Sequence, residues 1–457
     1  MTETTKQIHL AAHFPGVNNT TVWSDPASGS HIEFDSFTRF ARDAERGKFD
    51  FLFLAEGLRL REQNGEIYDL DVVGRPDTFT ILTALAAVTE RIGLTGTINS
   101  TFNEPFDVAR QFASLDHLSA GRAAWNVVTS WDAFTGENFR RGGYLAEEDR
   151  YDRARAFLAA VTELWDSWSD DDVVADQASG TFLGSADAGT YAVHDRFFDI
   201  EGRFTVPRTP QGRPVIFQAG DSDQGRDFAA AKADAIFSRH AAGDDARAFY
   251  RDVKKRLPGF GRQPDELLIL PAATFIIGDT EDDAAELSRE VRLAQVSPAT
   301  AVRFIEQLWN TSLPDFDPDG AFPSFDPVPG DSTVSKGRAS VRMFGRSALE
   351  LAEQWRAAAA ADGLSAREAV ANSFGRHAFV GTAESVATQI DHEVQTDAAD
   401  GYILVPHVTP GGLAPFVDHV VPILQERGVF RTEYEGTTLR DHLGLRRPAE
   451  RRDTAAS

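Results

Sequence analysis

Residues 49–55 read FDFLFLA, an almost uninterrupted apolar run that stands between two segments with a helical pattern, residues 34–47 and 78–89. A strand that is buried on both faces has such a run, whereas a strand with one face in solvent alternates apolar and polar residues. A doubly buried strand flanked by helices is the repeating unit of a parallel sheet covered by helices. This stretch therefore predicts an α/β fold.

The same alternation extends through most of the chain. Seven further apolar runs are predicted as strands, at residues 8–14, 92–98, 123–129, 214–219, 235–238, 267–277 and 402–405. Helical patterns occupy residues 105–118, 147–168, 222–233, 244–256, 281–309, 346–374, 385–395 and 413–427. Eight β/α units close most simply into a (β/α)8 TIM barrel. An open doubly wound sheet is the alternative, but its G-x-G-x-x-G and Walker A fingerprints are absent from the sequence.

A basic TIM barrel needs only about 250 residues, so a single domain over residues 1–457 must carry additions. Residues 170–212 are rich in Asp, Gly and aromatics, which predicts a hairpin or loop insertion. Five prolines between residues 311 and 335 indicate irregular structure within a second insertion over about 290–375. The polar residues from about 428 onward are expected to form a C-terminal extension.

The charge and composition exclude several classes of protein. The chain has 46 basic and 70 acidic residues, a net charge of −24, and no cysteine. The acidic balance argues against nucleic-acid and anionic-membrane partners. The lack of cysteine excludes disulfides, thiolate nucleophiles and Cys-based metal sites. No metal motif such as H-E-x-x-H is present, and no apolar run reaches about 18 residues, so we expect a cytoplasmic protein without a bound metal.

Polar residues follow several strands, at the end of the barrel where active sites lie. His13, Trp131 and His240 are the candidates for catalysis, although a lone histidine is more often structural. Asn126 either links the barrel backbone or donates to a ligand, and Glu56 is either a salt-bridged rim residue or a ligand contact. Four arginines in loops after strands form either a site for an anionic substrate or ion pairs at the surface. They are Arg59, Arg61, Arg140 and Arg141.

Residues 218–226, QAGDSDQGR, have the pattern of a strand, a turn and the start of a helix. Gly220 would allow close approach of the backbone, and the amides of the first helical turn would point toward a phosphate. Ser222 would add a hydroxyl group. The alternative is that Ser222 or Asp221 only caps the helix, and the pattern leaves both interpretations open.

Three segments together carry a resemblance to a known family: FDFLFLAEG (49–57), GRAAWNVVTSW (121–131) and QAGDSDQGRDFAA (218–230). The chain resembles the bacterial-luciferase-like flavin monooxygenases, in the branch with nitrilotriacetate, EDTA and dibenzothiophene-sulfone monooxygenases. Further matches are VARQFASLDHLS (108–119), PGGL (410–413) and GVFRTEYEG (428–436). The matches occur in order from about residue 8 to 445.

The resemblance implies a luciferase-like TIM barrel that uses FMN in its reduced form, FMNH2. A separate NAD(P)H-dependent flavin reductase would supply it, and reaction with O2 would give a C4a-(hydro)peroxide. That species would oxygenate a small organic substrate, often with C–N or C–S cleavage, in a homodimer or homotetramer. Two alternatives are F420-dependent hydride transfer on the same barrel and a non-catalytic flavin-binding protein.

The resemblance also assigns flavin contacts. Thr97, Tyr151 and Ser222 keep the family pattern, and Asn126 and Gly220 join them as cofactor-binding candidates. Glu56 stands where the family usually has Asp, and Glu147 stands where it usually has His. An anion at residue 147 would repel the flavin phosphate. In this interpretation His13, Trp131 or His240 would orient the substrate or protonate the peroxide.

Overall fold

The computed structural model describes residues 5–18, 20–68, 75–130, 133–140, 145–329, 335–336, 347–373 and 377–450. Eight parallel strands form its centre: β1 (His9–Phe14), β2 (Phe51–Leu54), β3 (Gly93–Asn99), β4 (Ala123–Val128), β5 (Val215–Gln218), β6 (Ala235–Ser238), β7 (Leu268–Ile277) and β8 (Gly401–Val405). Each strand pairs with the next along the chain, and β8 pairs with β1. The sheet is therefore a closed (β/α)8 barrel, and the predicted fold is confirmed.

Helices surround the barrel: α1 (Phe34–Arg46), α2 (Thr78–Ala86), α3 (Pro105–Leu118), α4 (Arg150–Trp165), α5 (Asp223–Lys232), α6 (Gly243–Arg256), α7 (Ala383–Gln395) and α8 (Val421–Glu426). Local sequence explains their starts. Asp77 caps α2 by accepting from the Thr80 N–H, and Pro105 occupies the first position of α3, where no N–H is needed. α1 buries Phe37, Phe40 and Ala44 against the strands.

Shorter helical turns connect these elements, at Ala133–Gly136, Glu147–Asp149, Leu257–Phe260, Pro264–Glu266, Gly411–Leu413 and Phe416–Val420. The last two replace the first half of the single helix expected over residues 413–427. Proline at residues 415 and 422 explains this, because proline supplies no N–H for a regular helical hydrogen bond.

The connection between α4 and β5 contains two antiparallel hairpins, Val173–Asp176 with Thr181–Leu183 and Thr190–His194 with Asp199–Arg203. The second hairpin packs on the barrel core through Tyr191 and other side chains.

The described part of the connection after β7 contains the helices Glu281–Gln295, Pro298–Trp309, Ala348–Asp362 and Ala366–Ser373. Three of them enclose a separate apolar cluster around Trp309 and Trp355. The insertion also reaches the loop after β2, since Ser335–Lys336 pairs with Glu62–Gln63, which pairs with Glu66–Ile67. Phe379–Gly381 then extends the sheet beside β7, a strand that the sequence analysis missed.

The C-terminal segment is part of the barrel and not a loose polar extension. A short helix, Leu439–His442, places Leu439, Leu443 and Leu445 in the same apolar cluster as Phe51 and the other side chains of the barrel interior. Arg440 pairs with Asp234, and Arg431 pairs with Asp50, whose side chain is fully buried. A few apolar residues in a polar segment produce no periodic signal, which explains why this role was not predicted.

Candidate active site

The barrel interior changes from apolar to polar toward the carboxyl ends of the strands. The apolar part holds aromatic side chains, and Phe53 stacks on Phe237 with ring centroids 5.1 Å apart. Because side chains alternate along a strand, the residues two positions beyond the interior residues also face inward. They are His13 after Ala11 on β1, Thr97 after Thr95 on β3, and Asn126 after Ala124 on β4. Three residues predicted from the sequence thus face the barrel interior near the carboxyl ends of their strands.

His13 is a neutral hydrogen-bond acceptor. Its Nδ1 lies 2.8 Å from the Phe53 carbonyl oxygen, to which it donates. Burial lowers the pKa of His13 to about 4, opposed by the Phe53 hydrogen bond and assisted by the charge of Arg75. At neutral pH the second ring nitrogen, Nε2, therefore carries a lone pair. A neutral His13 is better suited to accept a hydrogen bond from an N–H or O–H group of a ligand than to donate a proton, which was one of its predicted roles.

Thr97 and Asn126 are opposite each other on β3 and β4. The Asn126 amide donates to the Thr97 hydroxyl over 3.0 Å, which joins the side chains of two neighbouring strands and leaves both interpretations of Asn126 open. Its Oδ1 is buried and has no hydrogen-bond partner among the residues that the structure describes. A buried acceptor without a partner costs about 1–3 kcal/mol, so a ligand donor at this oxygen would be favourable.

Glu56, at the end of β2, is held by Asn99 at the end of β3. One carboxyl oxygen accepts from the Asn99 backbone N–H at 3.2 Å and from its side-chain amide at 2.9 Å. Burial raises the pKa of Glu56 to about 7, although the Asn99 hydrogen bonds lower it. Within the described ranges, no cation forms an ion pair with Glu56. The interpretation as a salt-bridged rim residue is therefore not supported.

The turn between β5 and α5 is closely packed around the start of the helix. Ser222 caps α5 by accepting from the Gly225 N–H at 3.2 Å, and its hydroxyl lies 3.0 Å from the Tyr151 hydroxyl. A Cβ on Gly225 would lie 2.7 Å from the Gly220 Cα, and one on Gly220 would lie 2.4 Å from Gln218. The turn is thus closed too tightly for side chains. Ser222 therefore caps α5. The start of α5 is exposed and has two hydroxyl groups beside it, so it also fits a phosphate.

His240 braces this turn. Its Nε2 lies 2.9 Å from the Asp221 carboxylate, and its ring stacks on Phe249 of α6. Arg239 pairs with the second Asp221 oxygen at 2.8 Å, and Arg226 donates to the Asp221 backbone carbonyl oxygen. Three groups thus fix one residue of the turn. These contacts support a positioning role for His240 in place of the predicted catalytic one.

The remaining predicted residues are placed as follows. Trp131 lies outside the described residues. Glu147 begins the helical turn Glu147–Asp149 before α4, but its side chain is also outside the description. Arg59 donates to the Phe134 carbonyl oxygen at 2.8 Å and lies over the Phe134 ring, so it joins two loops. Arg75, whose charge helps to lower the pKa of His13, was not predicted, because an isolated arginine in a loop belongs to no pattern.

Residues 15–420 match the family of luciferase-like monooxygenases, which covers most of the chain. The chain belongs to the luciferase-like monooxygenase family. The resemblance seen in the sequence is thereby confirmed, and the protein is a flavin-dependent monooxygenase.

Among the relatives of this monooxygenase is an N-acetyl-S-(2-succino)cysteine monooxygenase of Bacillus subtilis (strain 168), 39% identical over 99% of both chains. A nitrilotriacetate monooxygenase component A of Aminobacter aminovorans is 37% identical over 93% of both chains. Among solved structures, a riboflavin lyase with modified FMN and riboflavin superposes with a TM-score of 0.80, at 29% identity over 98% of both chains.

Two further properties concern the described part of this monooxygenase. No group of three or more His, Cys, Asp or Glu side chains in it is arranged to hold a metal ion. None of its helices is long and apolar enough to cross a membrane.

Proposed function

We propose that this protein is the oxygenase of a two-component system that uses FMNH2 and O2 to oxygenate a small organic substrate, with cleavage of a C–S or C–N bond. The observation that carries the proposal is the tight turn of Gly220, Ser222 and Gly225 with the Tyr151 hydroxyl beside it. That turn lies at the same end of the barrel as the polar interior layer. A bound FMN requires a site for its phosphate and polar groups that contact the edges of its flavin ring.

Different residues would bind different parts of FMN. Ser222, Tyr151 and the α5 amides would hold the phosphate, while His240 fixes the turn through Asp221. Thr97, Asn126 and Glu56 would meet polar edges of the flavin ring. The barrel walls would exclude water, and reduced FMN would supply the oxygenating C4a-(hydro)peroxide on reaction with O2.

The relatives guide the choice of substrate. The names of the two relatives identify a thioether that carries carboxylates and an amine that carries carboxylates. Oxygenation next to the sulfur or nitrogen would release a carbonyl product and a thiol or amine. We propose N-acetyl-S-(2-succino)cysteine as the first compound to test. The designation "component A" supports a separate flavin reductase as partner, and we keep a homodimer or homotetramer as the proposed assembly.

The test begins with an anaerobic titration of the protein with photoreduced FMN. Mixing with O2 in a stopped-flow instrument follows, with and without N-acetyl-S-(2-succino)cysteine, nitrilotriacetate or dibenzothiophene sulfone. We expect tight binding, a persistent C4a adduct, and product formation with one compound. Failure to bind reduced FMN would contradict the proposal, and binding of F420 in its place would favour the hydride-transfer alternative.

A further inference from the structure

Asn99, at the end of β3, fixes the carboxyl group of Glu56. It lies two positions beyond Thr97, so strand alternation places it on the same inner side of the barrel. Its side chain is fully buried, and its Oδ1 accepts from the backbone N–H groups of Thr101 and Phe102 at 3.0 and 2.6 Å. These two bonds hold the amide in one orientation, with Nδ2 directed to Glu56 over 2.9 Å.

This arrangement makes the two carboxyl oxygens of Glu56 different. Oε2 accepts from both the backbone N–H and the side-chain amide of Asn99. Oε1 forms no hydrogen bond in the part of the chain that the structure describes, and Glu56 is only half-buried. Since two N–H donors occupy Oε2, a proton bound to Glu56 resides on Oε1. Neutral Glu56 therefore presents one O–H donor at the carboxyl ends of the strands.

The charges around this carboxyl group favour its neutral form. Burial raises the pKa of Glu56 to about 7, the Asn99 hydrogen bonds oppose this rise, and the negative charge of Asp77 at the start of α2 adds to it. Arg75 precedes α2 and lies with its aliphatic part against Gly57. A flavin bound over Glu56 would remove more water from the carboxyl group and disfavour its ionised form further.

The other polar groups of the barrel interior offer mainly acceptors. The polar edge of an oxidised flavin ring presents one N–H group between two carbonyl oxygens. The buried Asn126 Oδ1 and the neutral His13 Nε2 can each accept from an N–H. A carbonyl oxygen needs a donor, which neutral Glu56 supplies and ionised Glu56 cannot.

We propose that Glu56 binds the flavin as a neutral carboxylic acid, donating its Oε1 hydrogen to a carbonyl oxygen of the ring, and that Asn99 is the residue that positions this donor. The inference rests on the proposed function, because it describes the same flavin site. Ionisation of Glu56 removes the donor and places a negative charge beside a carbonyl oxygen. Flavin affinity should therefore fall as the pH rises through 7.

The experiment measures the affinity for oxidised riboflavin and FMN between pH 6 and pH 8.5 by quenching of flavin fluorescence. Riboflavin is included because the phosphate of FMN itself titrates near this range. The variants are Glu56→Gln, whose amide can donate from the position of Oε1, and Asn99→Asp, which keeps an acceptor for the loop N–H groups. The controls are Glu104→Gln, at an exposed carboxyl group, and Asn103→Asp, whose side chain contacts only the backbone carbonyl oxygen of Asn99 among the described residues. Circular dichroism first establishes that each variant is folded.

For the wild-type protein we expect riboflavin affinity to fall about thirtyfold from pH 6 to pH 8.5, in proportion to the neutral fraction of Glu56. Glu56→Gln should bind riboflavin equally well across this range, and both controls should follow the wild type. Asn99→Asp replaces an N–H donor by a second carboxyl group, which raises the pKa of Glu56, so the decline should move to higher pH. A merely structural Asn99 would weaken binding equally at every pH.

Riboflavin affinity that stays constant or rises with pH in the wild-type protein would overturn the proposed role of Glu56, and so would an equal decline in Glu56→Gln. An unchanged midpoint in folded Asn99→Asp would overturn the role of Asn99. If Asn99→Asp does not fold, Glu56→Gln still decides whether a neutral acid binds the flavin. Failure of the wild-type protein to bind either flavin at any pH would count against the proposed function.

Discussion

Glu56 is an acid whose ionisation opposes folding, because its pKa is near 7 in the folded chain and about 4.5 in the unfolded chain. Between these values the folded state holds more protons, so this residue's contribution to stability is full below about pH 4.5 and is lost as the pH rises through 7. Glu56→Gln keeps an acceptor for Asn99 and removes the ionisation. We expect the variant to gain about 2 kcal/mol relative to wild type between pH 5 and pH 8.

Urea unfolding at pH 5 and pH 8 measures this difference. Glu90→Gln is the control, since Glu90 is exposed and its replacement should give the same stability difference at both values. A gain for Glu56→Gln that is equal at pH 5 and pH 8 would show that the folded-state pKa of Glu56 is near its ordinary value.

Ser222 combines a structural and a binding role, and the two can be separated. Ser222→Ala removes a helix cap, at a cost of about 1 kcal/mol, and removes a hydroxyl from the proposed phosphate site. Ser297→Ala removes an equivalent cap from the helix Pro298–Trp309, outside the site. We expect similar losses of stability, but a fall in FMN affinity of about tenfold only for Ser222→Ala. Isothermal titration with FMN and with riboflavin tests this. Riboflavin lacks the phosphate, so its affinity should be the same for the wild-type protein and for Ser222→Ala.

The β5–α5 junction depends on the contact between two glycines. Gly225→Ala would place a Cβ 2.7 Å from the Gly220 Cα and 3.1 Å from the Tyr151 hydroxyl, so the helix start must move. We expect a loss of about 1–3 kcal/mol of stability, typical of overpacking, together with loss of FMN binding. Gly259→Ala, at a position with no atom within 4 Å, is the control and should change neither. Normal FMN affinity in Gly225→Ala would contradict the proposal that this turn binds the phosphate of FMN.

The elements also show what a sequence can predict. All eight barrel strands were predicted from short apolar runs such as FDFLFLA, and their order from the alternation of these runs with helical patterns. Thr97, Asn126 and His13 were predicted because polar residues at the carboxyl ends of such strands converge, and their role in binding stays a prediction. The contacts of His240 with Asp221 and Phe249 could not be predicted, since they depend on tertiary packing. Arg75 and the strand Phe379–Gly381 left no local signal.

At the scale of the whole molecule, the chain's last segment closes the amino-terminal end of the barrel. Leu439 is fully buried and fills the space beside Gly93, at the start of β3, where a Cβ would lie 2.6 Å from the leucine Cδ1. Its backbone N–H donates to the Gly121 carbonyl oxygen just before β4. One residue of the C-terminal segment thus contacts two adjacent parts of the barrel.

This closure makes barrel stability depend on a segment remote from the proposed site. Leu439→Ala should cost about 3 kcal/mol, as for a large buried leucine whose cavity cannot collapse between rigid strands. Leu118→Ala, at a leucine that is 69% exposed, should cost far less. Guanidinium unfolding measures both, and FMN affinity of folded Leu439→Ala should equal that of wild type, because the site lies at the opposite end. A small cost for Leu439→Ala would mean that the segment leaves the barrel in solution, whereas a loss of flavin affinity at full folding would mean that the two ends are coupled through the barrel core.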